Sequence, residues 1–169
     1  MTTFALSSAN ANIWRGSGVA AALSLALVYG GLAQLLAGMW EFVRKNTFAA
    51  LAFTSYGAFW LGFWLLLHGG PVPLGSDTVG IYLLGWTIFT AYMTIAALRV
   101  NMAVLSVFVF LTATFVFLTI GNWNAGHVHL VHIGGWLGII TAALAWYASA
   151  AGVINETHGK VLLPVGPRS

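Results

Sequence analysis

Five apolar stretches, residues 18–40, 48–67, 79–98, 103–121 and 130–152, run without a single Asp, Glu, Lys or Arg. Crossing the hydrocarbon core of a bilayer takes about 17–25 residues of helix, and each stretch has that length. In lipid every backbone N–H and C=O must find its partner within the protein, so stretches of this kind fold as helices. Composition points the same way: 60% of the residues are hydrophobic and 5% charged, against about 25% charged in soluble domains. The expected fold is an all-α polytopic membrane protein, a single transmembrane domain over residues 1–169.

Residues 1–10 are apolar but too short to span. With Arg15 just outside the membrane, Met1 falls at membrane depth, where a charged amino terminus is costly. The stretch therefore reads as the second half of a helix whose first half lies outside this chain, followed by five complete spans. A short extracellular tail lying in the interface is the other reading. Lys and Arg placement sets the orientation. Arg44, Lys45, Arg99, Lys160 and Arg168 collect on one side and Arg15 alone on the other, so the tail, residues 153–169, is expected to be cytoplasmic.

The net charge of +3 comes from these flanking residues and is no nucleic-acid footprint. The absence of cysteine excludes disulfides and thiolate–metal sites, and no charged n-region marks a cleavable signal peptide. No hydrolytic triad is evident, and "GSGVAAAL" from Gly16 lacks the lysine of a phosphate-binding loop. No enzyme is read here.

Helices in lipid associate through small residues that allow close approach and through polar side chains. Gly30, Gly31, Gln34, Gly38 and Glu41 share one face of the second helix, and Gly134 and Gly138 form a GxxxG pair in the last. Thr87, Thr90 and Thr94 form one stripe of the fourth helix, and Thr112, Thr119 and Asn122 one of the fifth. Such stripes serve either as helix–helix glue, with hydroxyls bonded back to their own helix, or as a neutral lining for a small solute. The uncharged spans exclude the charged rings that a path for large or multiply charged solutes needs.

The run "GNWNAGHVHLVH", residues 121–132, gathers His127, His129 and His132. Three readings stand: a haem or metal site, for which no carboxylate or cysteine is at hand; interfacial histidines at a helix break; or a solute entrance, with Asn122 ending one helix and His132 near the start of the next, where free N–H groups favour an anion.

"YGGLAQLLAGMWEF" followed by "NTF", "FTSYGAFW", "HIGGWLG" and "NETHGKVLLPVG" resemble, in the same order, motifs of the acetate uptake transporter family of bacterial succinate/acetate permeases and their fungal relatives. The resemblance implies a six-helix bundle in the cell membrane, assembled as a homohexamer, with a route through each protomer for acetate and related short carboxylates, linked to protons or channel-like. No cofactor is implied. In the family a constriction is formed by an aromatic of the first helix, the tyrosine of FTSYG and a leucine of the fifth helix; the last two correspond to Tyr56 and Leu111. Lining positions fall at Gln34, Thr54, Thr112, Asn122 and Ala145, and His132 is added as an entrance group. One departure stands out: the family's Asn-Pro-Ala-Pro-Leu-Gly-Leu segment is absent, and "MTT" at residues 1–3 resembles the middle of the helix it opens. On that reading the chain begins at an internal methionine.

The leading function is therefore a carrier or channel for small carboxylates, with a coupled proton carried on the acid itself or through His132. The alternatives are a haem- or metal-bearing redox protein built on the histidine cluster, and a non-transporting membrane scaffold.

Overall fold

A computed structural model describes residues 1–14, 17–69, 73–74, 76–123 and 127–167. Among them six helices follow one another. Helix α1 is Thr2–Asn10. Helix α2 is continuous through Ser17–Leu25, a π-helical stretch Ala26–Ala33 and Gln34–Val43. Then come α3, Thr47–His68, α4, Asp77–Ala97, α5, Met102–Asn122, and α6, Val128–His158. Helices α2 to α6 are each long and apolar enough to cross a membrane. The last runs six residues past the end of its apolar stretch at 152, through the polar "INETH", before Gly159 closes it with a left-handed φ of 62°.

The connections explain where the helices begin. Asn46 closes the hairpin after α2 and caps α3, its Oδ1 accepting from Ala49 N at 3.2 Å. Asn101 does the same for α5, accepting from Val104 N at 2.8 Å. Ser76 caps α4, accepting from Val79 N at 3.5 Å. Asn and Ser suit this position because their side-chain oxygens satisfy N–H groups that a helix start leaves bare.

The helices close a ring in the order α1, α2, α3, α4, α5, α6 and back to α1, and two kinds of contact hold it. Small residues serve on one side. A Cβ on Gly38 would lie 2.5 Å from the backbone N of Thr54, so α2 rides directly on the α3 backbone; Gly138 of α6 is packed as tightly against Ser7 of α1 and Thr114 of α5. The expected glycine faces of α2 and α6 are thus the packing faces. By contrast, α3 and α4 stand apart at the backbone and meet through rings: Tyr56 and Phe59 of α3 lie against Trp86, Phe89 and Tyr82 of α4 at centroid separations of 5.2–6.3 Å.

Polar ties run between α4 and α5. The Thr87 and Thr119 hydroxyls lie 2.8 Å apart, as do those of Thr94 and Thr112. The segment after α6 folds back beneath α5. Asn155 accepts from the backbone N of Leu162 and Leu163 at 2.8 and 2.9 Å and donates to Leu163 O at 2.8 Å. Further on, Gly166 O and Val165 O accept from Met102 N and Ala103 N, two first-turn donors of α5 that would otherwise be unpaired.

Candidate transport path

A cavity of about 650 Å³ lies inside the ring and is lined by residues of all six helices. At one end it meets Asn10, where α1 stops, and Leu74, Val79 and Leu83, where α4 starts. At the other end it meets Asn46, Val100 and Asn101, where α3 and α5 start, and Ser149 of α6. It therefore follows the helices from one end of the bundle to the other. The described residues lining it include no Asp, Glu, Lys, Arg or His.

Its middle is aromatic on one wall and small on the other. Tyr56, Phe59 and Phe63 of α3 and Phe108, Leu111 and Phe115 of α5 face Ala142 and Ala145 of α6. Phe59 and Phe115 meet edge to face at 5.4 Å. Tyr56 is almost fully buried, at 8% exposure; its ring stands perpendicular to that of Phe89 at 5.4 Å, and its hydroxyl lies 3.0 Å from Thr90 Oγ1. Polar groups in this layer are few. Thr114 and Thr141 donate to the carbonyls of Phe110 and Leu137 in their own helices, at 2.8 and 2.9 Å. Gln34 enters directly after the π-helical stretch of α2. There the extra residue per turn re-aims the helix face, a distortion that recurs at functional positions.

Of the residues singled out from sequence, Tyr56, Leu111, Gln34 and Ala145 line this cavity together. The other four are placed elsewhere. Thr54 donates to Ala50 O at 2.6 Å, with its methyl group against Gly38. Thr112 donates to Phe108 O at 2.8 Å and pairs with Thr94. Asn122 is buried at the end of α5 and donates to Leu118 O at 2.7 Å. His132 is half-buried in the first turns of α6, its ring 6.5 Å from that of His129. His127 and His129 are exposed at the start of α6. Among the described residues no three His, Cys, Asp or Glu side chains converge as metal ligands.

Sequence reasoning missed Asn46 and Asn101 at one mouth, although an Asn closing a tight hairpin before an apolar run is a cap signal. It missed Thr114 and Thr141 because an isolated threonine in a membrane helix carries no mark of the side it faces.

Six helices ringing a cavity that runs the length of the bundle, with no charged side chain among its described lining residues, define a multi-pass membrane protein with a built-in passage. Residues 1–167 match the GPR1/FUN34/yaaH family, and the chain belongs to it. It is 37% identical over 170 residues to the succinate-acetate/proton symporter SatP of Escherichia coli K12, covering 98% of this chain and 89% of that protein. It is 39% identical over 151 residues to the glyoxylate pathway regulator of Yarrowia lipolytica, covering 83% of this chain but only 55% of that longer protein. The solved structure of the bacterial acetate channel SatP matches the fold with a TM-score of 0.90 at 37% identity, over 98% of this chain and 92% of that one.

Proposed function

We propose that this protein passes acetate and related small carboxylates, succinate among them, across a membrane through the cavity of each protomer. The observation that carries the reading is the end-to-end uncharged cavity, in a fold that matches an acetate channel over nearly its whole length. The likeness to a succinate-acetate/proton symporter and an acetate channel favours transport over the redox alternative.

The chemistry of the lining fits such a solute. Apolar walls at Tyr56, Phe59, Leu111 and Phe115 receive a methyl group without cost, since neither partner gives up hydrogen bonds. A bare carboxylate in the same place loses its hydration shell and finds few donors in return, which is expensive. In this reading the proton travels on the acid itself through the middle of the passage; His132, outside the lining, is not required. At the mouth formed by Asn46 and Asn101, two helix N-termini open beside the cavity, and their dipoles favour an approaching anion. The mouth beside Arg44, Lys45 and Arg99 is the cytoplasmic one. Large apolar side chains left exposed on the outside of α2, such as Val28, Tyr29, Leu32 and Trp40, face lipid or neighbouring copies in a homo-oligomer, for which we take a hexamer.

Proteoliposomes loaded with isotope-labelled acetate test this. Exchange should exceed the leak of protein-free vesicles at neutral pH and be competed by unlabelled acetate. Exchange no faster than the leak would remove the proposal.

A further inference from the structure

Behind the cavity wall lies a hydroxyl whose proton is already committed. Thr90 has no exposed surface and does not line the cavity. Its Oγ1 lies 2.7 Å from the carbonyl of Trp86, one turn back on α4, and 3.0 Å from the hydroxyl of Tyr56. Each hydroxyl has one proton to give, and a carbonyl can only accept. If Thr90 donated to Tyr56, the Trp86 carbonyl would lose this bond and the phenolic proton would have no partner among the described residues. If Thr90 donates to Trp86 O and Tyr56 donates to Thr90, every group is satisfied. The second arrangement is the one a buried site selects, because an unmade bond there carries the whole desolvation penalty.

We propose that Thr90, from outside the passage, sets its selectivity by accepting the phenolic proton of Tyr56, so that Tyr56 offers a passing solute an apolar ring and a lone pair rather than a donor. The neighbouring hydroxyls act alike, since Thr114 and Thr141 also give their protons to helix carbonyls. At Tyr56, Thr114 and Thr141 the central layer therefore presents acceptors rather than donors, with Ser7 of α1 the remaining hydroxyl beside Thr114. It favours small neutral solutes that bring their own donor, a protonated carboxylic acid or a primary amide, over the bare carboxylate. The same bond holds the phenol against α4, and the rings of Trp86, Phe89 and Phe108 pack around it and fix its orientation at the edge of the lumen. Thr90 is a positioning residue; Tyr56 is the one that touches solute. This deepens the transport reading and rests on it.

The experiment compares acetate with acetamide, its neutral counterpart of similar shape, in proteoliposomes at one neutral pH with the protein-free leak subtracted. In Thr90→Val the phenolic proton is released and can turn toward the lumen. The acetate-to-acetamide flux ratio should rise about tenfold, the worth of one hydrogen bond. Thr90→Ser should keep the wild-type ratio. Adding Thr90→Val to Tyr56→Phe should change nothing further, because there is no proton left to release. An unchanged ratio in Thr90→Val protein that elutes and melts like wild type overturns the proposal, as does a shift that persists in the Tyr56→Phe background. Wild-type vesicles that pass neither solute would count against the transport function instead. The Thr90 assignment is then decided by ultraviolet resonance Raman difference spectra against Tyr56→Phe: Tyr56 should report as a donor in wild type and lose that signature in Thr90→Val or Thr90→Ala, and no change in either variant overturns it.

Discussion

Gly38→Ala tests the packing that shapes the passage. A Cβ at this position would meet the backbone N of Thr54 at 2.5 Å, the Thr54 methyl at 2.6 Å and the carbonyl carbon of Phe53 at 3.1 Å. Two of the three are backbone atoms in the middle of α3, which no rotamer change can move. Relief requires the helices to part, and overpacking of this kind costs about 3 kcal/mol, the upper end of the usual range. Alanine returns about 1 kcal/mol through its better helix propensity, leaving a net loss of about 2 kcal/mol. For a chain of this size that corresponds to a melting temperature lower by about 4–8 °C. Gly85→Ala is the matched control: nothing lies within 4 Å of its Cβ, so only the propensity gain of about 1 kcal/mol remains. Thermal unfolding of the two variants in the same detergent, followed by fluorescence or size-exclusion loss, gives the contrast. The damage should also reach transport, because Gln34 and Phe53 flank this contact and both line the cavity. A Gly38→Ala protein that melts at or above the wild-type temperature would refute the reasoning.

Asn155→Ala removes three hydrogen bonds that hold the segment after α6; about 2 kcal/mol of local stability should go, seen as faster amide exchange at Leu162, Leu163 and Met102. Thr94→Val and Thr112→Val, singly and together, should show a coupling of only about 0.6 kcal/mol, the usual value for a hydrogen bond between membrane helices, because each hydroxyl keeps a carbonyl partner; strict additivity in thermal unfolding would mean that the pair is not bonded. Tyr56→Ala opens the aromatic wall and should raise acetate flux severalfold while admitting longer monocarboxylates such as butyrate, and unaltered size discrimination would take Tyr56 out of the constriction. Dialysis against a chelator should leave acetate exchange as it was; loss of exchange that added zinc restores would revive the histidine cluster as a metal site.

Much of the architecture was legible because lipid leaves little choice. Uncharged runs of spanning length must be helices, short hairpins place them side by side, and Gly38 or Gly138 marks a face where another helix comes close. The lining was legible only in part. Periodicity assigns Thr87, Thr90 and Thr94 to one face of α4 without saying whether that face meets water or a neighbouring helix. Each of them turns toward a partner in the protein, Thr119, Tyr56 and Thr112 respectively, so a stripe that suited a polar lining is largely an interhelical tie. The π-helical stretch Ala26–Ala33 was invisible for a different reason: its apolar and glycine residues suit an ordinary helix equally well, and the close approach of Gly30 and Gly31 to Thr2, Trp60 and Leu61 is a tertiary feature that the local sequence does not encode.

Those ties and the apolar passage follow from one constraint. Between helices in lipid the hydrophobic effect contributes little, so polar side chains are most useful where helices touch. In α4 and α5 the threonines that bond to one another, Thr87 with Thr119 and Thr94 with Thr112, lie outside the cavity lining, whereas the lining from the same helices is apolar, Val79, Leu83, Phe108, Leu111 and Phe115 among it, with Thr114 bonded back to its own helix. Few donors are left for a solute in the middle of the path: apart from Gln34 on α2 and the hydroxyls of Thr3 and Ser7 on α1, those of Asn10, Asn46, Asn101 and Ser149 lie toward the ends. A lone carboxylate thus meets its best hydrogen-bonding partners at the mouths and its poorest at the centre, the order that lets an acid be gathered without being held.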